Sequence, residues 1–117
     1  MEAQFKSGRS TAERQQLAAA MKDKYPTKVP VFFSRVKRSA LPELDRNKCM
    51  VPCIARMGDV LTGLRKKLAL GKDLALFLFV GGEELVSGDA FALELYEARK
   101  EKDDFLYLQY GEQQTMG

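Results

Sequence analysis

The segment from Met57 to Val80 decides the fold, and it reads MGDVLTGLRKKLALGKDLALFLFV. Its first half has apolar residues at steps of three and four, which predicts a helix with one apolar stripe. The stripe consists of Met57, Val60, Leu61, Leu64 and Leu68. Gly71 is expected to close this helix. The seven apolar residues 74–80 then predict a fully buried strand, and the pair Gly81-Gly82 predicts a turn after it.

A second helix is predicted near the amino terminus, over residues 11–24. Ser10 and Glu13 have the spacing of a capping box, in which each side chain bonds the backbone of the other residue. Apolar or aromatic residues then recur every four positions, and Pro26 stops the pattern. These recurring residues are Leu17, Met21 and Tyr25.

Four further elements complete the order along the chain. Residues 29–36 are β-branched and aromatic and predict a strand, and residues 48–51 predict a second one. After the buried strand, residues 90–100 predict a helix and residues 105–110 a last strand. The apolar side of that helix is expected to carry Phe91, Leu95 and Ala98. This order predicts an α+β fold, a four-stranded sheet around a central helix in the ubiquitin-like β-grasp arrangement, with an additional N-terminal helical segment.

Length and composition limit the class of protein that this chain can be. A chain of 117 residues with 45% hydrophobic and 30% charged residues is expected to form one folded domain. Its longest apolar run is too short to cross a membrane, and no secretory signal is apparent at the amino terminus. Position 2 is Glu2, which excludes the usual myristoylation signal. The expected compartment is the cytoplasm.

The two cysteines, Cys49 and Cys53, are separated by three residues, which is not the spacing of a redox pair, and the chain has no histidine to complete a zinc site. On one strand they would lie roughly 13 Å apart, too far for an unstrained disulfide. We therefore expect two packing cysteines and no metal. A thiol oxidoreductase is a weaker alternative, since no candidate base accompanies the thiols.

Charge is divided unevenly along the chain. Residues 1–72 contain 16 Lys and Arg against 6 Asp and Glu, a net +10, whereas residues 73–117 contain 3 against 10, a net −7. The basic half could meet nucleic acid, anionic lipid or acidic peptides, or it could complement the acidic half within one fold. Nucleic acid is not expected, because aromatic residues are not interleaved with the basic ones.

The final residue, Gly117, follows a short polar tail. A terminal glycine has no side chain to shield its carbonyl, so its carboxylate suits adenylation, thioester formation and transfer to an amine. By chance alone, roughly one chain in fourteen would end in glycine. Gly117 therefore indicates conjugation only if the rest of the chain supports it.

Several stretches of the chain supply that support. They are KYPTKVPV (24–31), LDRNK (44–48), VP (51–52), LRKKL (64–68), ALFLFV (75–80) and DFLY (104–107). In these stretches the chain resembles the ubiquitin-like autophagy modifiers, the family of the GABA-receptor-associated protein and the microtubule-associated-protein light chains. The resemblance covers most of the chain from residue 10 to the end.

The resemblance implies a modifier rather than an enzyme. Residues 1–26 would be a helical segment packed on a ubiquitin-like domain of residues 27–110, followed by a flexible conjugation tail of residues 111–117. Activating and conjugating enzymes would join Gly117 to phosphatidylethanolamine on the autophagosome membrane, and a cysteine protease would process and release it. No cofactor is implied beyond this covalent lipid. Cargo receptors and autophagy proteins would be the partners.

The resemblance also implies a groove for peptides with an aromatic residue, two intervening residues and an aliphatic one, paired to the edge of the second strand from Arg46 to Met50. The aromatic pocket would consist of Leu17, Met21, Pro30, Lys48, Met50 and Phe105. The aliphatic pocket would consist of Val51, Pro52, Ile54, Val60, Gly63 and Leu64. Acidic residues flanking the peptide motif would meet Lys28, Arg46, Lys48 and Lys67.

Three positions depart from the family pattern. Cys49 and Gly63 replace larger residues, which is expected to widen or reshape the aliphatic pocket, and Gly63 in mid-helix predicts a close approach of another group. Met116 replaces an aromatic residue before the terminal glycine, where the protease would act. An alternative function is a non-conjugated adaptor that uses only the peptide groove.

Overall fold

The computed structural model describes residues 1–113; Gly117 and Met116 lie outside these residues. The described residues form four helices and five strands. In order they are α1 (Glu2–Gly8), α2 (Thr11–Lys24), β1 (Lys28–Arg35), β2 (Lys48–Pro52), α3 (Met57–Lys67), β3 (Phe77–Val80), β4 (Glu84–Leu85), α4 (Ala92–Arg99) and β5 (Leu106–Gly111).

The strands form one mixed sheet in the order β2-β1-β5-β3-β4. The two central strands, β1 and β5, run parallel, and all other neighbours are antiparallel. The predicted α+β fold is confirmed, but the sheet has five strands rather than four. The fifth arises because Gly81 and Gly82 adopt φ angles of +65° and +85°, which turn the chain back onto β3 for two residues.

Helices cover both faces of the sheet. Along β1, side chains alternate between the faces, so Val31 and Phe33 join the large core under α3 and α4, whereas Phe32 joins a smaller cluster under α1 and α2. The smaller cluster also contains Phe105 and Tyr107. This alternation places the N-terminal helices and the central helix on opposite sides of the same strands.

The predicted helix over 11–24 is confirmed together with its cap. The N–H of Glu13 donates to Ser10 Oγ at 3.1 Å, and the N–H of Ser10 donates to Glu13 Oε1 at 2.9 Å. Leu17 and Met21 are half-buried against the smaller cluster. The helix therefore holds these two side chains beside β1 and β2.

The predicted bounds around the central helix were partly wrong. The helix ends at Lys67, before Gly71, because Ala69 takes the left-handed conformation (φ +54°) that follows a helix end. The N–H of Leu70 then donates to the carbonyl of Arg65 at 3.2 Å, which completes this end. The next strand begins at Phe77, since the preceding residues form a loop in which Leu74 is 46% exposed.

The buried side of α4 was predicted only in part. Leu95 is half-buried against the large core as expected, but the fully buried residues are Ala92 and Tyr96, Phe91 precedes the helix and Ala98 is exposed. The ring of Phe91 lies under the guanidinium of Arg56, with 4.6 Å between the guanidinium carbon and the ring centroid. Packing of α4 against the sheet therefore buries Ala92 and Tyr96 rather than Phe91 and Ala98.

A buried ion pair fastens α2 to the start of β5. Arg14 Nε donates to Asp103 Oδ2 at 2.8 Å, and the side chain of Asp103 is only 2% exposed. The N–H of Phe105 donates to Asp103 Oδ1 at 3.0 Å, and the hydroxyl of Tyr107 donates to Oδ2. Arg14 also donates to the carbonyl of Lys6 at 2.7 Å, so the network includes α1.

Three tyrosines in the core predict sensitivity to alkali. Burial raises the pKa of Tyr96 to about 12, with the nearby Asp104 and Asp103 adding to the shift. Burial, with a hydrogen bond to Asp103, raises the pKa of Tyr107, and burial raises the pKa of Tyr110. A raised folded-state pKa stabilises the fold below the unfolded-state value of about 10, and this stability is lost as the pH rises through the folded-state pKa.

We therefore expect the free energy of unfolding to fall between about pH 10 and pH 12, by on the order of 2 kcal/mol for Tyr96 alone. Urea unfolding at fixed pH values, combined with the ultraviolet absorbance of phenolate, measures this loss. A stability that stayed level or rose across this range would contradict the prediction.

Candidate functional site

Strand β2 has one neighbour, β1, and its other edge is unpaired within the described sheet. The N–H of Phe33 donates to the carbonyl of Asn47, and the N–H of Cys53 donates to the carbonyl of Thr27. In an antiparallel pair, residues that bond the neighbour alternate with residues that do not. Lys48 and Met50 therefore direct their backbone N–H and C=O groups outward, toward the open edge.

One cavity, of about 500 Å³, lies between α2 and the edge strand, and we call it the α2-side cavity. Its lining consists of Leu17, Met21, Phe32, Asp45, Arg46, Asn47 and Lys48. Three of the residues predicted for the aromatic pocket meet here, namely Leu17, Met21 and Lys48. Phe32 also lines it but was missed, although the alternation along β1 places it on this face.

Phe105 and Pro30 were also predicted for that pocket, but the structure buries both fully and neither lines the cavity. Phe5 covers Phe105 instead, with 5.4 Å between the ring centroids in an edge-to-face arrangement. The Phe5 ring also stacks on Phe32 at 4.8 Å, and Lys48 Nζ lies 5.3 Å from its centroid. Helix α1 thus contributes an aromatic side chain to this region that was not predicted for the pocket.

A second cavity, of about 160 Å³, lies between the edge strand and α3, and we call it the α3-side cavity. Its lining consists of Phe33, Cys49, Met50, Val51, Pro52, Val60, Gly63, Leu64 and Lys67. Five of the six residues predicted for the aliphatic pocket meet here. The sixth, Ile54, does not, because it lies in the turn after β2 and is 85% exposed. Met50, predicted for the aromatic pocket, lines this cavity instead.

Three wall residues of the α3-side cavity, Phe33, Cys49 and Lys67, were not predicted as pocket residues. Phe33 and Cys49 line it because they lie on the α3 side of their strands, where Cys49 is opposite Val31, and Lys67 lines it because it follows Gly63 by about one turn of α3. Lys67 Nζ lies 3.7 Å from Cys49 Sγ. Alternation along β1 and β2 was the available signal for Phe33 and Cys49, and the helical period of α3 was the signal for Lys67.

The expected close approach to Gly63 is absent. A Cβ atom built on this glycine would meet nothing within 4 Å outside its own helix. The glycine therefore leaves open space at the wall of the α3-side cavity rather than admitting a neighbouring backbone.

Basic side chains border the edge strand at several points. Arg46 and Lys48 border the α2-side cavity, and Lys67 borders the α3-side cavity. Lys28 stands at the opposite end of β2, paired in register with Pro52, and its Nζ lies 5.3 Å from the centroid of the Tyr25 ring. Asp45 adds one carboxylate to the first group. The edge is thus predominantly basic.

The described residues give no indication of a disulfide, a metal site or a membrane-spanning helix. Both cysteines are free thiols and half-buried. Among residues 1–113, no three His, Cys, Asp or Glu side chains group so as to hold a metal ion. No helix of the described part of the chain has the length and apolar character needed to span a bilayer.

Comparison with known proteins gives a consistent answer. The family described as "Autophagy protein Atg8 ubiquitin like" matches residues 13–117. Microtubule-associated protein 1 light chain 3 gamma of Homo sapiens is 37% identical over 97% of this chain and 78% of its own length. Autophagy-related protein 8d of Arabidopsis thaliana is 34% identical over 97% of this chain and 93% of its own.

A solved structure supports the same family assignment. The crystal structure of Trypanosoma brucei ATG8 is similar to this one with a TM-score of 0.88 and 30% sequence identity, over 97% of each chain. The agreement includes the N-terminal helices and the mixed sheet. The chain therefore belongs to the Atg8 family, and it is a ubiquitin-like autophagy modifier rather than an enzyme.

Proposed function

We propose that this modifier is conjugated through Gly117 to phosphatidylethanolamine and recruits proteins that carry an aromatic-x-x-aliphatic peptide. The observation that carries the recruiting role is the open edge of β2, which has one cavity on each side. The α3-side cavity is mainly apolar, whereas the α2-side cavity combines Leu17, Met21 and Phe32 with polar and charged residues. Family membership supports the conjugating role.

The spacing of the peptide motif follows from the geometry of the groove. An extended peptide paired to β2 would alternate its side chains between the two faces of the sheet, so residues i and i+3 point to opposite faces about 10 Å apart along the strand. The two cavities also lie on opposite faces, one toward α2 and one toward α3. A peptide with anchors three positions apart can therefore fill both cavities at once.

Backbone pairing would supply affinity that does not depend on the peptide sequence. The outward N–H and C=O groups of Lys48 and Met50 would bond the peptide, which is β-augmentation. Arg46, Lys48 and Lys67 would attract acidic residues beside the motif, and Lys28 would extend this basic border. Since these side chains lie at the surface, their contribution should weaken as salt is added.

Lipid attachment would convert the cytoplasmic protein into a membrane tag. Phosphatidylethanolamine brings two acyl chains, and each buried methylene contributes about 0.8 kcal/mol, so two chains anchor stably where one is marginal. The partners for this step would be an activating enzyme, a conjugating enzyme and a processing cysteine protease. The conjugate would then reside on autophagosome membranes, where the groove can collect cargo receptors.

Replacing Met50 with proline tests the groove. Proline removes one outward N–H and places a ring at the open edge, while the bonds from β2 to β1 come from the alternate residues. We expect the affinity for an aromatic-x-x-leucine peptide to fall at least about tenfold, because a hydrogen bond is lost and its partner is left unpaired. Calorimetric titration measures the change.

The matched control is Met50→Ala, which removes the same side chain but keeps the N–H. The circular dichroism spectrum of each variant checks that the fold is retained. If the proline variant bound the peptide as well as the alanine variant did, pairing to the edge of β2 would be excluded as the binding mode.

A further inference from the structure

We propose that the α3-side cavity accepts an aromatic side chain, so that this chain selects peptides with aromatic residues at both anchor positions. This inference rests on the proposed peptide-binding function and specifies the partner of the same groove. It concerns the residue that follows the first anchor by three positions.

The size of the cavity is the first argument. Its volume is about 160 Å³. A buried cavity of about 150 Å³ in another protein is large enough to bind benzene. A ring therefore fits the α3-side cavity, whereas a smaller aliphatic side chain would leave part of the wall without contacts and lose the corresponding dispersion energy.

The cause of this size lies on one face of α3. Val60, Gly63 and Lys67 follow one another at steps of three and four and line the same wall. Gly63 contributes no side chain, and the position of its missing Cβ is open space. Across from it, Cys49 provides a short side chain. The cavity is thus wide because small residues occupy two of its facing positions.

The chemistry of the lining is the second argument. Cys49 lies opposite Val31 on the α3 side of the sheet and presents sulfur, which is polarizable, and sulfur contacts with aromatic rings are favourable. Lys67 Nζ lies 3.7 Å from Cys49 Sγ, so an ammonium group stands at the same wall, within reach of a ring face. Phe33 adds an aromatic surface that can pair with a second ring. An aliphatic anchor would use none of these three interactions.

Three peptides that differ only at the second anchor test the inference on the unmodified chain. They carry phenylalanine, leucine or alanine there, after a tryptophan first anchor. We expect the phenylalanine peptide to bind at least about fivefold more tightly than the leucine peptide, and the alanine peptide to bind weakest, since a difference of one methylene in an apolar pocket changes selection about tenfold or more. Equal binding of phenylalanine and leucine, or tighter binding of leucine, would overturn the inference and leave the peptide groove standing. Failure of all three to bind would overturn both.

Gly63→Leu then tests whether the cavity is responsible. Leucine fills the open space at the wall without meeting a neighbour, so the fold should be retained. We expect this variant to lose the preference for phenylalanine and to bind the leucine peptide at least as well. The matched control is Lys66→Leu, which adds the same side chain at an exposed position of α3 that does not line the cavity. An unchanged preference in Gly63→Leu would contradict the assignment.

Nuclear magnetic resonance supplies a readout that depends on where the ring lies. With the phenylalanine peptide, ring currents should shift the methyl signals of Val60 and Leu64, which line the α3-side cavity. The leucine peptide should bind without this ring-current shift. Shifts confined to Leu17 and Met21 would place both aromatic residues elsewhere and overturn the inference.

Discussion

Replacing Gly117 with alanine is expected to abolish attachment of phosphatidylethanolamine and to leave the fold intact. The reason is the unshielded carbonyl of a terminal glycine, to which a Cβ atom would add bulk in the thioester and in the channel to the acceptor amine. The measurement is reconstituted conjugation with the organism's activating and conjugating enzymes, ATP and phosphatidylethanolamine vesicles. The intact mass then reports an adduct for the chain ending in Gly117 and none for the variant.

Deletion of Gly117 provides a second variant. Peptide titration checks that both variants are folded, because the residues of the groove are unchanged in them. Lipidation of the alanine and deletion variants at the original rate would contradict attachment through Gly117. If the unmodified chain formed neither thioester nor adduct with enzymes proven active on another substrate, a groove-only adaptor would be the better account.

Replacing Asp103 with alanine should lower the free energy of unfolding by about 3–5 kcal/mol, the usual cost of removing one partner of a buried ion pair. The substitution would leave the buried guanidinium of Arg14 without its carboxylate and the Tyr107 hydroxyl without its acceptor. Urea unfolding followed by circular dichroism measures the loss. Hydrogen exchange should show the largest change in α1 and α2, because Arg14 also holds the carbonyls of Lys6 and Arg9.

The matched control is Glu97→Ala, which removes an exposed carboxylate from α4 and should change stability by no more than about 0.5 kcal/mol. In a double-mutant cycle, Arg14→Ala and Asp103→Ala together should cost less than the sum of the two single changes, since each removes the same interaction. A loss below about 1 kcal/mol for Asp103→Ala would mean that this ion pair does not hold the helices in place.

The sequence predicted the elements whose signals are local. The capping box of Ser10 and Glu13 marks the start of α2 because its two hydrogen bonds join residues three positions apart. Alternation along β1 and the apolar stripe of α3 likewise depend only on the geometry of one strand or one helix. These signals led to the confirmed fold class. They missed the short strand β4, whose pairing spans only two residues.

The candidate site could be predicted only in part. The resemblance named five of the residues around the α3-side cavity, but it also named Ile54, which the turn after β2 turns outward. It assigned Phe105 and Pro30 to an open pocket, although Phe5 packs on the first and both are buried. The pocket residues known for a family do not specify how the side chains pack in one particular member.

The sequence alone therefore determined the fold class, the limits of α2 and the location of strand β2 along the chain, because these follow from composition, periodicity and capping within short segments. Tertiary structure placed β2 at the edge of the sheet. Tertiary structure decided which side of α4 is buried, where β3 begins, and which cavity each side chain of β2 lines. It also joined Arg14 to Asp103 across 89 positions of sequence. Such contacts depend on packing between distant segments, where the shapes of all neighbours act together, and no local pattern specifies them.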